Sequence, residues 1–257
     1  MPVELIGVVR LYRHLISAQP SYAAAICEEA GLPKGLVSVL PGSGADIGDA
    51  LVRHPIPSVV SFTGSTPVGR NVGKAALDGD RIKSLELELG GNSPIVVLDD
   101  ADIDYAVEAS VWGKFMHQGQ ICMIANRIIV EDAIYDEFVE KFVARVKQLP
   151  VGKREDPKCF IGPIVNRDQF DGISDMIAKA KEEGATCALG GEPDGLVMPP
   201  HVFTDVGEDS CLVAKCGYTN CGIGNSGCGI TCTSAPGCAH AKTHGSGFSE
   251  TCGCQPG

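Results

Sequence analysis

Cys122 is the side chain in this sequence that is best suited to nucleophilic chemistry. It lies in the segment FMHQGQICMIANR, in a loop beyond a predicted helix and Gly119. A reactive thiol needs partial exposure and a positive local field, and loops between elements can provide both. The alternative is a small buried side chain with a structural role, because lone cysteines are commonly structural. The segment alone leaves both interpretations open.

Glu88 is the carboxylate that could act as a general base. In the segment LELELGG, Glu86 and Glu88 share one face of a predicted strand because strand side chains alternate. Gly90 and Gly91 follow, and they would let another group approach the backbone closely. A carboxylate beside such a gap can deprotonate water. An edge strand with two solvated glutamates explains the same residues.

The segment TGSTPVG follows a predicted strand and opens a predicted helix. Free backbone N–H groups and the positive end of a helix dipole suit a pyrophosphate group. The segment does not match the G-x-G-x-x-G fingerprint, so it is weak on its own. A helix N-cap formed by Ser65 or Thr66, with Pro67 in the first turn, is the alternative.

Strands and helices alternate up to Val206, which predicts an α/β architecture with largely parallel sheets. The Asp residues of DDADID can cap the helix that begins near Tyr105. The predicted strands are LVSVL, SVVSF, SLELEL, PIVVL and RIIVE. The predicted helices cover residues 21–31, 45–52, a segment ending at 76, 105–117, 133–149 and 168–183.

Composition narrows the range of partners. The chain has 257 residues, of which 44% are hydrophobic, and a net charge of −11. That length supports one good core or two small ones. The negative charge disfavours nucleic acid and anionic membrane surfaces as partners. No apolar run reaches the length of a bilayer span, and the opening segment lacks a secretory signal, so we expect a cytoplasmic location.

The tail after Val206 differs from the rest of the chain. It is rich in Gly, Ser and Thr and holds eight of the twelve cysteines, from Cys211 to Cys254. Its composition predicts an irregular segment. Three origins stay open: an out-of-frame or mis-joined coding segment, a metal-binding module and a disulfide framework. The candidate metal ligands are Cys238, His240 and His244 and the CGC segment near the end.

Taken together, the motifs resemble those of the aldehyde dehydrogenase superfamily. The segments LPGSGADIG, SFTGSTPVG, LELGGNSPIVVLDDADID, FMHQGQICMIANR and IYDEFVEKFV occur in the order and spacing of that superfamily. The resemblance runs from about Ala23 to Val206, and it is closest to enzymes for aromatic or other small hydrophobic aldehydes. It implies oxidation of an aldehyde to a carboxylic acid with NAD or NADP, through a cysteine thiohemiacetal and thioester.

The resemblance also assigns roles to individual positions. Cys122 matches the catalytic cysteine and Glu88 matches the base, whereas Glu86 matches no functional residue. The positions that match cofactor-binding residues are Gly64, Ser65 and Gly69 at the phosphates, Gly44 on the adenine side, and Leu89 at the nicotinamide amide. No metal ligand is implied.

The implied fold has three parts. Residues 1–89 would form a partial Rossmann-like dinucleotide-binding domain, residues 90–206 an α/β catalytic domain, and residues 207–257 the irregular cysteine-rich tail. The superfamily forms homo-oligomers, but the strands that usually pair subunits are not found in this sequence.

Three functional segments of the superfamily are also not found in this sequence. They are the Trp-Asn-Phe-Pro segment, whose Asn donates to the oxyanion, a Lys-Pro pair at the adenosine ribose, and a downstream Phe-Gly-Pro segment. Losing one oxyanion donor commonly costs about a hundredfold in rate or more. The sequence therefore predicts a truncated member, and the alternative is a catalytically inactive fragment with a metal-binding or artefactual tail.

Overall fold

A computed structural model of the protein describes residues 18–40, 42–79, 81–91, 93–153, 155–207, 210–214 and 230–235. Its helices are α1 (Ala18–Glu29), α2 (Asp49–Arg53), α3 (Thr66–Leu77), α4 (Ile103–Phe115), α5 (Tyr135–Val146), α6 (Arg167–Glu182) and α7 (Cys211–Ala214). Its strands are β1 (Val59–Thr63), β2 (Ser84–Glu88), β3 (Ser93–Val97), β4 (Ala125–Glu131), β5 (Thr186–Leu189), β6 (Val202–Thr204) and β7 (Ile230–Ala235). A π-helical turn, Gly44–Gly48, precedes α2, and short 3-10 turns, Met116–Gly119 and Asp132–Ile134, flank β4.

Strands β1 and β2 form a two-stranded parallel sheet, in which Thr63 is paired with Glu88. Helix α3 connects the two strands, as a parallel pair requires. The buried core beside this sheet is small and consists of Val52, Ala75 and Ala76. The Nζ of the buried Lys83 donates to the carbonyls of Val52 and His54, which ties the segment entering β2 to the end of α2.

The second sheet has five strands in the order β3-β4-β7-β6-β5. Its pairs are parallel except β5 with β6. Helices α4 and α5 pack together, and their apolar faces cover β4 in one large core. Three buried phenylalanines stack within this core, with ring centroids 5.7 Å apart for Phe138 and Phe142 and 6.5 Å apart for Phe115 and Phe142.

Side-chain caps fix where the longer helices begin. The Oδ1 of Asp102 accepts a hydrogen bond from the backbone N–H of Tyr105, 3.1 Å away, at the start of α4. The Oδ1 of Asn166 accepts from the N–H of Gln169 at 2.8 Å and begins α6. Such caps satisfy N–H groups that have no partner within the helix. The predicted Asp cap on α4 is therefore confirmed.

The predicted alternation of strands and helices is confirmed, and the pairing is mainly parallel. The predicted strand LVSVL is wrong, because residues 36–40 are irregular apart from a single bridge at Val37. Strands β5 and β6 were not predicted from the sequence, since each is only three or four residues long.

The tail contains regular structure at two segments, α7 and β7, which its composition does not predict. Strand β7 lies between β4 and β6, with Thr231 paired with both Arg127 and Phe203. The segment ITCTSA has β-branched residues that favour a strand, although its surroundings are rich in Gly and Cys. At these two segments the structure differs from the irregular tail that we expected.

None of the described helices combines the length and the apolar character that crossing a bilayer requires.

Candidate active site

Cys122 lies in a turn between the Met116–Gly119 3-10 segment and β4. Its side chain is a free thiol and is exposed. Met123 is exposed too, and the two residues after it, Ile124 and Ala125, are buried. The thiol is thus presented at the surface by a turn whose far end is anchored in the core, so the alternative of a buried structural cysteine does not hold in this structure.

The backbone before Cys122 is unusual. His117, Gln118 and Gly119 all have left-handed φ angles, of 51°, 56° and 70°. Only glycine adopts this region without cost, and each of the two other residues stores about 1 kcal/mol or more of strain. Such strain persists only where the surroundings hold it, and it is concentrated at functional sites.

Two glutamines hold this strained segment against the loop at residues 160–165. The Oε1 of Gln120 accepts from the backbone N–H of Val165 at 3.1 Å. Gln118, with its amide oriented so that the oxygen faces the loop, accepts from the N–H of Gly162 at 3.1 Å. These contacts fix a sharp change in chain direction, and Cys122 lies between this bend and the start of β4.

Glu88 is the last residue of β2, on the open edge of the two-stranded sheet. Its backbone carbonyl accepts from the N–H of Gly64 at 3.0 Å, so the end of β2 is fixed to the turn that follows β1. The side chains of both Glu86 and Glu88 are exposed. The structure therefore leaves the carboxylate of Glu88 accessible, and the solvated-edge interpretation stays compatible with its position.

The segment after Glu88 runs directly to the turn of Cys122. A Cβ atom placed on Gly91 would lie 2.9 Å from the carbonyl oxygen of Cys122, which is closer than such atoms approach. Only glycine fits at this contact, which agrees with the close approach predicted for the Gly90–Gly91 pair. Three residues of chain span about 11 Å at most, so the backbone of Glu88 lies within that distance of Gly91.

The turn from Gly64 to Gly69 has the features of an anion-binding helix N-terminus. Ser65 is the N-cap of α3, but its hydroxyl makes no capping hydrogen bond. The first turn of α3 contains no acidic residue and has Pro67 in its usual early position. A hydroxyl and N–H groups that the helix does not use, at the positive end of its dipole, fit a phosphate group.

The two remaining cofactor candidates differ in their surroundings. A Cβ on Gly69 would lie 2.5 Å from Cδ2 of Leu89, so the glycine lets α3 pack closely on the residue after Glu88. Gly44 begins the π-helical turn, and a Cβ there would meet nothing within 4 Å. A side chain at position 69 would therefore displace the Leu89 side chain, whereas one at position 44 would meet no described atom within that distance.

Two buried polar residues beside this site were not singled out from the sequence. The Nζ of Lys114 donates to the Oδ1 of Asn126 at 2.9 Å, and the Nδ2 of Asn126 lies 3.5 Å from the carbonyl oxygen of Gly91. A signal existed, because Lys114 falls at helical spacing on the apolar face formed by Val107, Val111 and Phe115. A charged residue on a buried face calls for an explanation.

Within the described ranges, no group of three or more His, Cys, Asp or Glu side chains is placed to hold a metal ion. Of the tail cysteines, Cys211 is buried, and burial raises the pKa of its thiol. The proposed tail ligands Cys238, His240 and His244 lie outside the described residues.

Comparison with known proteins adds three relatives of similar type. The chain is 51% identical over 186 residues to a vanillin dehydrogenase of Corynebacterium glutamicum. The aligned residues make up 72% of this chain and 38% of that protein. It is 48% identical over 183 residues to a benzaldehyde dehydrogenase of Bacillus subtilis, covering 71% and 37%. The solved structure of a salicylaldehyde dehydrogenase from Pseudomonas putida G7 matches with a TM-score of 0.81 and 35% identity, over 90% of this chain and 46% of that one.

The chain thus spans less than half the length of these relatives. The profile of the Aldehyde dehydrogenase family matches residues 16–215. The shared fold, the order of its elements and the extent of this match establish that the chain belongs to the aldehyde dehydrogenase family.

Proposed function

We propose that this chain carries the nucleophile and the base of an NAD(P)-dependent oxidation of aldehydes to carboxylic acids. The observation that supports this most is the contact of Gly91 with the carbonyl of Cys122, because it brings the segment that follows Glu88 to the turn of the exposed thiol. Residues 1–89 are then part of the dinucleotide-binding domain, and residues 90–206 form the catalytic domain.

The thiolate of Cys122 attacks the aldehyde carbon, and the new C–S bond leaves a negative charge on the aldehyde oxygen. The backbone N–H of Cys122 donates one hydrogen bond to that oxyanion. Loss of hydride from the same carbon gives a thioester. Glu88 then takes a proton from water, the water oxygen bonds to the acyl carbon, and the Cys122 thiolate leaves as the carboxylic acid is released.

The cofactor supplies the hydride acceptor when it is bound. The N-terminus of α3, with Gly64, Ser65 and Gly69, would hold its phosphates, because the Ser65 hydroxyl makes no competing capping bond. Gly44 would lie against the adenine side, where its lack of neighbours leaves room. The backbone of Leu89 would face the nicotinamide amide.

Aromatic aldehydes are the proposed substrates, since the relatives named above are dehydrogenases of vanillin, benzaldehyde and salicylaldehyde. Relatives that use NAD and that bind NADP both occur among the solved structures, so either cofactor is compatible. A cytoplasmic location completes the proposal.

The test is an aldehyde-dependent rise in NADH or NADPH absorbance with benzaldehyde or vanillin. We expect Cys122→Ala to abolish the signal and Cys159→Ala, which alters a half-buried cysteine elsewhere, to leave it unchanged. A signal that persists in Cys122→Ala would contradict the assignment of the nucleophile.

A non-catalytic member of the family is the second candidate, and one observation favours it. Both Glu86 and Glu88 are exposed on an open strand edge, where water solvates the carboxylates. This candidate predicts a folded chain with no turnover and no binding of NAD or NADP. Metal retained through gel filtration would add a binding role for the tail.

A further inference from the structure

We propose that Lys114 is a positioning residue, which acts through Asn126 to hold the segment after Glu88 against the turn of Cys122. This inference rests on the proposed function and assigns a role to a side chain that the reaction itself does not use.

The position of Lys114 is unusual for a lysine. It lies in the last turn of α4 and is only 1% exposed, between the buried Val111 and Phe115. Burying an ammonium group costs several kcal/mol unless it is paired and hydrogen-bonded. Its Nζ donates to the Oδ1 of Asn126, a residue that is itself 5% exposed.

The ammonium fixes which way the Asn126 amide points. A lysine can only donate, so the oxygen of the amide must face Lys114 and the NH₂ group must face the other way. That NH₂ group lies 3.5 Å from the carbonyl oxygen of Gly91. The positive charge also polarises the amide, which makes its NH₂ group a stronger donor toward that carbonyl.

Gly91 is where the two halves of the site meet. A Cβ atom on Gly91 would lie 2.9 Å from the carbonyl oxygen of Cys122, and Gly91 follows Glu88 by three residues. Asn126 belongs to β4, four residues after Cys122. We call the contacts from Lys114 through Asn126 to Gly91 the relay. The relay connects the strand that follows Cys122 to the segment that follows Glu88, and it sets the distance between the two residues.

Two substitutions separate positioning from simple stabilisation. Lys114→Met keeps an unbranched side chain of similar length but removes the donor that orients Asn126. Asn126→Asp keeps, and strengthens, the partner of Lys114, yet a carboxylate has no hydrogen to donate to Gly91. If Lys114 only needs a partner, Asn126→Asp is harmless. If Lys114 positions Gly91 through Asn126, both variants should slow the same step of the reaction.

The step to measure is removal of an acyl group from Cys122. An activated aryl ester acylates the thiol with release of the aryloxide, and intact-mass spectrometry then follows the loss of the acyl group to water. We expect the adduct to live at least about tenfold longer in Lys114→Met and Asn126→Asp, because small misplacements of reacting groups cost this much or more. The exposed Lys147→Met should match the parent.

Alkylation of Cys122 by iodoacetamide, measured in the same variants, should stay within about twofold of the parent, since the relay does not touch the thiol. If Lys114→Met fails to fold, Asn126→Asp carries the test alone. The role of Lys114 alone would be overturned if the acyl adduct lived as long in Lys114→Met and Asn126→Asp as in the parent, while it still lived longer in Glu88→Gln. An adduct indifferent to Glu88→Gln would overturn the proposed function and this inference together.

Discussion

The two groups proposed for the reaction lie in regions of very different packing. Cys122 belongs to the region from Ser93 to Gly207, which contributes four strands of the five-stranded sheet and a large core with three stacked phenylalanines. Glu88 belongs to residues 18–89, where the core consists of one valine and two alanines beside two strands. Large apolar side chains in this smaller region are widely exposed, such as Ile82 at 87% and Ile56 at 80%.

The difference indicates that the thiol is held by a self-sufficient unit and the carboxylate is not. Buried apolar area is the main source of stability, and residues 18–89 bury little of it. The position of Glu88 consequently depends on two local attachments, the hydrogen bond from the Gly64 N–H and the packing of Leu89 on Gly69. It also depends on the contact of Gly91 with Cys122 in the better-packed region. The following variants test this contrast.

The largest effect is expected from Phe142→Ala. The Phe142 ring is fully buried and stacks on Phe138 and Phe115, so its removal should lower the free energy of unfolding by about 3–5 kcal/mol. Chemical denaturation measures this loss. Tyr105→Ala, at an exposed position on α4, should change it by no more than about 0.5 kcal/mol. Equal losses in both variants would remove the contrast between core and surface.

Gly119→Ala tests the strained turn before Cys122. Gly119 is buried and has a φ of 70°, so an added Cβ should cost about 1–2 kcal/mol. The matched control is Gly172→Ala, on the exposed face of α6 with nothing near its Cβ, which should stabilise the protein by about 0.5–1 kcal/mol. Thermal denaturation of both variants should give shifts of opposite sign, and shifts of the same sign would count against the left-handed conformation.

Val52→Ala tests the smaller region. Val52 is buried in the thin layer beside α3, and the loss of two carbons should cost about 1–1.5 kcal/mol. Hydrogen exchange should show the loss in the amides of β1 and β2, with those of β4 unchanged. Equal destabilisation of β4 would mean that the two regions unfold as one unit.

Glu183→Gln should have the smallest effect, and it depends on pH. Hydrogen bonds from the Cys211 N–H and the Ser210 hydroxyl lower the pKa of Glu183, so its ionised form contributes stability above the ordinary glutamate pKa. That contribution is lost as the pH falls below about 4.3, where the carboxylate is protonated in the unfolded chain and then in the folded one.

The parent should therefore lose more stability than Glu183→Gln between pH 7 and pH 3.5, in denaturation at each pH. Glu182→Gln, at the neighbouring exposed position, should behave as the parent does. An equal pH dependence in Glu183→Gln and the parent would show that α6 is not held to Ser210 and Cys211 in solution.

Sequence periodicity predicted most of the elements because the well-packed region has strong patterns. Helix α5 repeats its apolar residues at helical spacing, and β4 follows a cysteine loop with the strand RIIVE. The segment LVSVL has the composition of a strand, yet no described strand pairs with it, and pairing is not visible in local sequence. Strand β7 was missed for the converse reason, since its partners β4 and β6 are distant in sequence.

The site residues were predicted by resemblance more than by pattern. Exposure of Cys122 and the need for glycine at Gly91 agree with what the sequence suggested. The Lys114–Asn126 relay could not be derived in the same way, because it joins a helix to a strand through side chains twelve residues apart. The one signal in the sequence was the position of Lys114, a charged residue on the apolar face of a helix.

The acyl group on Cys122 gives the most direct test of the central claim, which is that Glu88 acts on the product of the Cys122 thiol. Glu86 is the matched control, because it is exposed on the same face of the same strand. After acylation by an aryl ester, loss of a general base should slow release of the acyl group in Glu88→Gln by about a hundredfold, within the usual range for such groups. Release in Glu86→Gln should equal that of the parent. Equal release rates in Glu88→Gln and Glu86→Gln would contradict the account.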